Sequence, residues 1–117
     1  MYDIIAIGSV TRDNFLLTDY QTIQWPKTPL GKAIIFPLGE KIDVQSVVST
    51  VGGNSANASI TFGRQGFRTA CFGKVGQDSR EIIARLKKEK IQPLFVYSKA
   101  VPTAYSVLLL KGGERTI

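Results

Sequence analysis

At 117 residues, 44% hydrophobic and 21% charged, the chain has the size and composition of one globular domain. With no histidine and a single cysteine, it cannot assemble a Ser-His-Asp triad, an HExxH zinc site, a zinc ribbon or a CxxC redox pair from its own residues. The formal charge is +6, but the basic residues are scattered and no basic stripe with interleaved aromatics accompanies them, which makes a nucleic-acid-associated domain the least supported reading.

The first predicted element is the apolar run "YDIIAIGS", Tyr2–Ser9, which reads as a strand buried on both faces. The following "GSVTRD" lacks the second and third glycines of a dinucleotide-binding turn, and "GKA" at Gly31–Ala33 lacks the hydroxyl residue of a P-loop. "FLLTDY" continues the strand pattern, and a stretch punctuated by Pro and Gly runs from Pro26 to Gly39. The alternating "KIDVQSVVST", Lys41–Thr50, then reads as a half-exposed antiparallel ribbon. A helix is predicted from about Ser55 to Gln65, terminated by Gly66 in the left-handed region.

"RTACFGKVG" is a second buried strand, in which Cys71 is a buried thiol suited to a reducing, cytoplasmic setting. Asp78 followed by Glu81 forms a capping-box-like start for a helix with Ile82, Ile83 and Leu86 on one face. That helix ends in "RLKKEK", Arg85–Lys90, whose cations complement the helix dipole. "IQPLFVYS" and "TAYSVLLL" are further strands, the second followed by the turn "KGGE". No apolar run reaches the roughly 18 residues of a spanning helix, and the first residues lack a signal-peptide layout. Strand, ribbon, helix, strand, helix, strand is the order of an α/β layered fold with a small β excursion. "GGERTI" stops where a strand would be under way, so the sequence reads as an amino-terminal piece of a longer protein.

The densest chemistry is "VGGNSANASITFGRQGF", Val51–Phe67. Two glycines before a helix permit close backbone approach, the helix start favours anionic or hydroxyl-rich ligands, and Asn57 can donate and accept toward a polyol. The same residues also serve a tight turn in which Asn54 or Ser55 caps an ordinary helix.

The surroundings favour the first alternative. "GGNSANAS", then Gly66, then Gly76 within "GKVGQDS", resembles the first signature of the PfkB, or ribokinase-like, family of sugar and nucleoside kinases, with Gly52, Gly53, Asn57, Ser59, Gly66 and Gly76 at the signature spacing. "IGSVTRD" is similar to that family's first strand and following aspartate, and "PTAYSVLLLKGGERTI" to its strand ending in a "GERT" turn. Ser55 departs from the signature's Gly, Ala or Pro, and Glu81 replaces a common glycine.

The resemblance implies a ribokinase-like layered sheet with flanking helices and a small β lid, truncated before the ATP-binding half. Residues 1–117 would form the amino-terminal part of one kinase domain, with a lid ribbon within about 14–50 and a substrate-binding helix start at 52–57. The implied reaction is ATP- and Mg2+-dependent phosphorylation of a substrate hydroxymethyl group. No catalytic residue and no metal ligand is expected in this segment, because the family's catalytic aspartate, anion hole and ATP pocket belong to the carboxy-terminal half. Asp13, at the end of the first strand, would accept hydrogen bonds from substrate hydroxyls. Gly52, Gly53 and Asn57 would hold the sugar, and Ser106, at a lid-adjacent strand position, would either touch substrate or be a plain core-strand serine. Arg115 is either ligand-facing or a solvated turn residue, and Asp78 is a helix cap. A lid with an apolar face could pair with that of a second subunit. A free-standing sugar- or nucleoside-binding module without catalysis is the alternative.

Overall fold

The structure is a computed structural model that describes residues 1–117. Its elements are β1 (Ile4–Ile7), β2 (Thr11–Leu17), β3 (Thr22–Gln24), β4 (Lys32–Ile34), β5 (Ser46–Gly52), α1 (Asn54–Arg64), β6 (Thr69–Gly76), α2 (Arg80–Lys88), β7 (Gln92–Ser98), β8 (Ala104–Lys111) and β9 (Glu114–Thr116). The chain divides into two compact units, one of Met1–Asn14 with Ser49–Ser106, the other of Phe15–Val48 with Val107–Ile117.

In the first unit, β6 lies between β1 and β7 in a parallel sheet. Ile4 pairs with Thr69, and Ala70 with Gln92. Cys71 and Val75 share one face of β6 and join Ala56 of α1 and Ile82 and Leu86 of α2 in a single buried cluster with Val10 and Ile91. Burial of each large aliphatic side chain there stabilises by about 1.5–3 kcal/mol. Both helices therefore cover the same face.

The opposite face is open, which corrects the expectation that the first strand is buried on both sides. Ile5 is 49% exposed, Ile7 74% and Phe72 40%. A continuous apolar run in a parallel sheet signals two covered faces, but this chain supplies helices for only one.

Both helices end in Schellman motifs. Gly66, at φ +95°, donates its N–H to Gly63, Phe67 donates to Phe62, and the two phenylalanine rings meet edge to face at 6.2 Å. The second motif has no sequence signature: Lys90 takes φ +61°, with Lys90 N–H on Lys87 and Ile91 N–H on Leu86. Burial of Ile91 and Leu86 holds a residue there that has no intrinsic preference for positive φ.

In the second unit, β3 and β4 form an antiparallel hairpin, with β4 inside the Pro- and Gly-punctuated stretch Pro26–Gly39 and β3 just before it, and β9 returns antiparallel to β8. Strands β5, β2, β8 and β9 follow in that order in a four-stranded sheet. The strand expected from Lys41 begins only at Ser46. Ser46 to Ser49 are all exposed, so the alternation of "KIDVQSVVST" does not translate into alternating burial. Lys111 pairs with Asp19 at 2.7 Å and also donates to the Tyr20 carbonyl, and Tyr20 stacks edge to face with Phe36 at 5.8 Å.

Candidate functional site

Helix α1 begins after Gly53, which adopts φ +90° and ψ +152°, a conformation essentially reserved for glycine. Neither Asn54 nor Ser55 caps the helix. The cap comes instead from the loop after β1: Ser9 Oγ accepts the Asn54 N–H at 3.1 Å, and the Ser9 carbonyl accepts the Ser55 N–H at 3.1 Å. Asn54 Oδ1 returns the contact by accepting the Ser9 N–H at 2.7 Å and the Ser9 hydroxyl at 2.9 Å. Two of the N–H groups expected to face a ligand are therefore satisfied internally. The Ser55 hydroxyl turns inward to the carbonyls of Ala6 at 2.8 Å and Phe72 at 3.0 Å, fixing the helix start to β1 and β6.

The glycines have separate tasks. A Cβ on Gly53 would run into the Ser9 carbonyl and come within 3.0 Å of Val10 Cα, so this glycine lets the loop after β1 lie on the helix start. A Cβ on Gly52 would fall on the Asp13 carboxylate. Asp13 belongs to β2, not to the end of the first strand, and its carboxylate rests against the Gly52 backbone. It is half-buried and accepts one hydrogen bond, from the Thr11 hydroxyl at 2.7 Å. A carboxylate can accept several hydrogen bonds, so most of this capacity has no partner within the chain.

Asn57 is exposed on the first turn of α1 and lines a groove of about 390 Å³ with Thr50, Val51, Ile60, Thr61, Arg64 and Arg85. Asp13 and Gly52 are not among the groove's lining residues. The structure thus brings Asp13 and Gly52 into contact and places Asn57, one helical turn beyond Gly52 in the chain, on a different surface feature. Ser106 is half-buried in β8, and Arg115 is exposed in β9. A second, smaller cavity of about 140 Å³ is lined by Arg12, Ser49, Thr50, Val51, Glu81, Ile82 and Arg85.

Asp78 does not cap α2; Ser79 occupies that position, without a side-chain cap bond. The Asp78 carboxylate instead accepts the Thr103 N–H at 2.9 Å and the Thr103 hydroxyl at 2.7 Å. These two bonds, the backbone one foremost, hold its carboxyl below the ordinary range, and the nearby Arg12 charge adds to the effect. Ser9, Thr11 and Thr103 lie in segments that carry the family resemblance, but the sequence assigned them no contact, since each acts on a partner chosen by packing. No group of three or more Cys, Asp or Glu side chains is placed to hold a metal ion, and no helix is long and apolar enough to cross a membrane.

Comparison with known proteins places this geometry in context. Residues 27–117 match the pfkB family carbohydrate kinase. Among solved structures, the chain is similar to the ribokinase of Giardia lamblia, with 26% identity and a TM-score of 0.71 over 98% of this chain and 32% of that one. It is also similar to the ribokinase of Cryptococcus neoformans solved with ADP, at 22% identity and TM-score 0.68 over 97% of this chain and 32% of that one. A nucleoside kinase of Methanocaldococcus jannaschii aligns at 18% identity and TM-score 0.69, over 99% of this chain and 36% of that one. A comparison with curated proteins gave no match. The chain spans about a third of the length of these structures. With the family match covering most of the sequence and the α/β ribokinase-like fold in place, the chain belongs to the PfkB family of carbohydrate kinases.

Proposed function

We propose that this chain forms the substrate-binding part of an ATP-dependent kinase that phosphorylates a hydroxymethyl group of a sugar or nucleoside. The observation that carries the reading is the Asp13 carboxylate seated on the Gly52 backbone with a single internal partner. A half-buried carboxylate with open acceptor sites beside side-chain-free backbone suits a ligand rich in hydroxyl donors. Gly53 and the Ser9 clasp hold the helix start in place, and Asn57 and Ser106 add polar contacts from α1 and β8. In this reading the ribbon within about 14–50 serves as the lid, and its exposed Val47 and Val48 offer an apolar surface to a second copy. ATP and Mg2+ are assigned, as the family resemblance implies, to the remainder of a longer kinase chain.

The test is steady-state phosphorylation of D-ribose, D-fructose and adenosine by the longer kinase chain that carries this segment, beside thermal melts. Asp13→Ala and Asn57→Ala are each expected to lower kcat/KM by about 5- to 150-fold, the loss of one hydrogen bond enclosed when substrate is bound, with little change in melting temperature. An Asn57→Ala variant that melts lower yet keeps its kcat/KM would reduce that residue to a helix-start role.

A further inference from the structure

The side chain next to Asp13 is the one the substrate reading leaves unused. Successive residues of a strand point to opposite faces, so Arg12 anchors the face of β2 opposite to the one that presents Asp13. Its guanidinium donates from Nη2 to the Asp78 carbonyl at 2.5 Å, and Nη1 lies 3.6 Å from the Asp78 carboxylate. Arg12 Nε is buried without a hydrogen-bond partner, and the nearest alternative carboxylate, Glu81, stands 4.0 Å away. Asp78 is therefore the principal holder of Arg12, chiefly through a main-chain carbonyl whose place is fixed by the bonds of the Asp78 carboxylate. Asp78 is itself pinned by the N–H and hydroxyl of Thr103, and that hydroxyl accepts the Gly76 N–H at 2.9 Å. The chain of contacts runs from the turn after β6, through the segment that opens β8, to β2.

This bracing matters because the seat of Asp13 has no slack. Space for even one carbon atom is missing between its carboxylate and the Gly52 backbone. A small displacement of β2 would lift the carboxylate off that backbone or drive it into it, and a displacement of about 1 Å at a positioning group costs on the order of a hundredfold in rate.

We propose that Asp78 is a positioning residue for Asp13, acting through Arg12 to hold β2 where the Asp13 carboxylate seats on Gly52. The proposal rests on Asp13 being a substrate contact. Asp78 touches no substrate, and its effect passes through the placement of its neighbour.

The experiment is a double-mutant cycle in the longer kinase chain, with kcat and KM measured for whichever of D-ribose, D-fructose and adenosine is phosphorylated. Asp78→Ala is expected to lower kcat/KM by roughly 10- to 100-fold. Asp78→Asn keeps an oxygen for Thr103 while removing the charge that faces Arg12, so it preserves the fold and gives a smaller loss of the same kind. Thr103→Ser tracks the parent and Thr103→Val tracks Asp78→Ala. The decisive reading is coupling: once Asp13→Asn is in place, adding Asp78→Ala causes little further loss, because the group it positions no longer functions. Additive losses, or an Asp78→Ala variant with unchanged kcat/KM beside an impaired Asp13→Asn, would overturn the positioning role and leave the substrate reading standing. An Asp13→Asn variant with unchanged kcat/KM would overturn both. If Asp78→Ala does not fold, Asp78→Asn and Arg12→Gln carry the same cycle.

Discussion

Replacing Gly53 by alanine tests whether the helix start is built from backbone contact or reserved for a ligand. At φ +90° and ψ +152° a side chain is strained by about 1–3 kcal/mol wherever it points. Here the added Cβ also meets the Ser9 carbonyl. That carbonyl accepts the Ser55 N–H, and Ser9 exchanges three further hydrogen bonds with Asn54. Displacing Ser9 weakens at least two of these bonds, each contributing about 0.5–1.5 kcal/mol. The expected destabilisation is about 2–6 kcal/mol, a large share of the stability of a domain this size. In thermal terms it is a drop of roughly 10 °C or more. Gly66 provides the control: its φ is +95°, but a Cβ there meets nothing within 4 Å. Gly66→Ala should cost only about 1–2 kcal/mol of conformational strain. Urea and thermal melts of both variants, followed by circular dichroism, decide the matter. If Gly53→Ala melts no lower than Gly66→Ala, the contact with Ser9 is not what requires glycine at this position.

Three further outcomes are expected. The 117-residue chain incubated alone with ATP, Mg2+ and D-ribose, D-fructose or adenosine should yield no phosphorylated product, since it spans about a third of the kinases it resembles; product formation by the purified chain would contradict this. Acid should unfold the chain partly through Asp3, whose carboxyl is held at about 2 by hydrogen bonds from the Arg68 side chain and then its backbone N–H. Because that value lies below the unfolded 3.8, the stabilisation is present above pH 4 and is lost as pH falls through about 2. Urea midpoints between pH 5 and pH 2 should therefore fall less steeply in Asp3→Asn, and equal slopes would refute the assignment. Finally, the open sheet face carrying Ile5, Ile7 and Phe72 should drive self-association of the isolated chain. Phe72→Lys is expected to shift it toward monomer in sedimentation velocity at an unchanged melting temperature, and a parent chain already monomeric at all concentrations would count against this.

Local chemistry was legible in the sequence. Period and punctuation place α1, α2, β6 and β7 close to where they are found, and Gly66 terminates its helix as its lack of a side chain allows. Cys71 is buried as its apolar neighbours require. These features depend on interactions within one turn or one strand, and neighbours in sequence carry that information. The tertiary structure decided everything that joins distant segments. Ser9 and Asn54 are 45 residues apart, and only their packing turns a serine with no capping signature into the cap of α1. Asp78 stands where a helix cap is expected, but Thr103 offers it an N–H and a hydroxyl at once, and those two bonds win over one cap bond. "YDIIAIGS" announces burial on both faces, yet the number of helices available sets how many faces are covered. Gly52 and Gly53 look alike in the sequence. Asp13 gives the first its purpose and Ser9 the second, because a missing Cβ acquires meaning only from the atom that occupies its space.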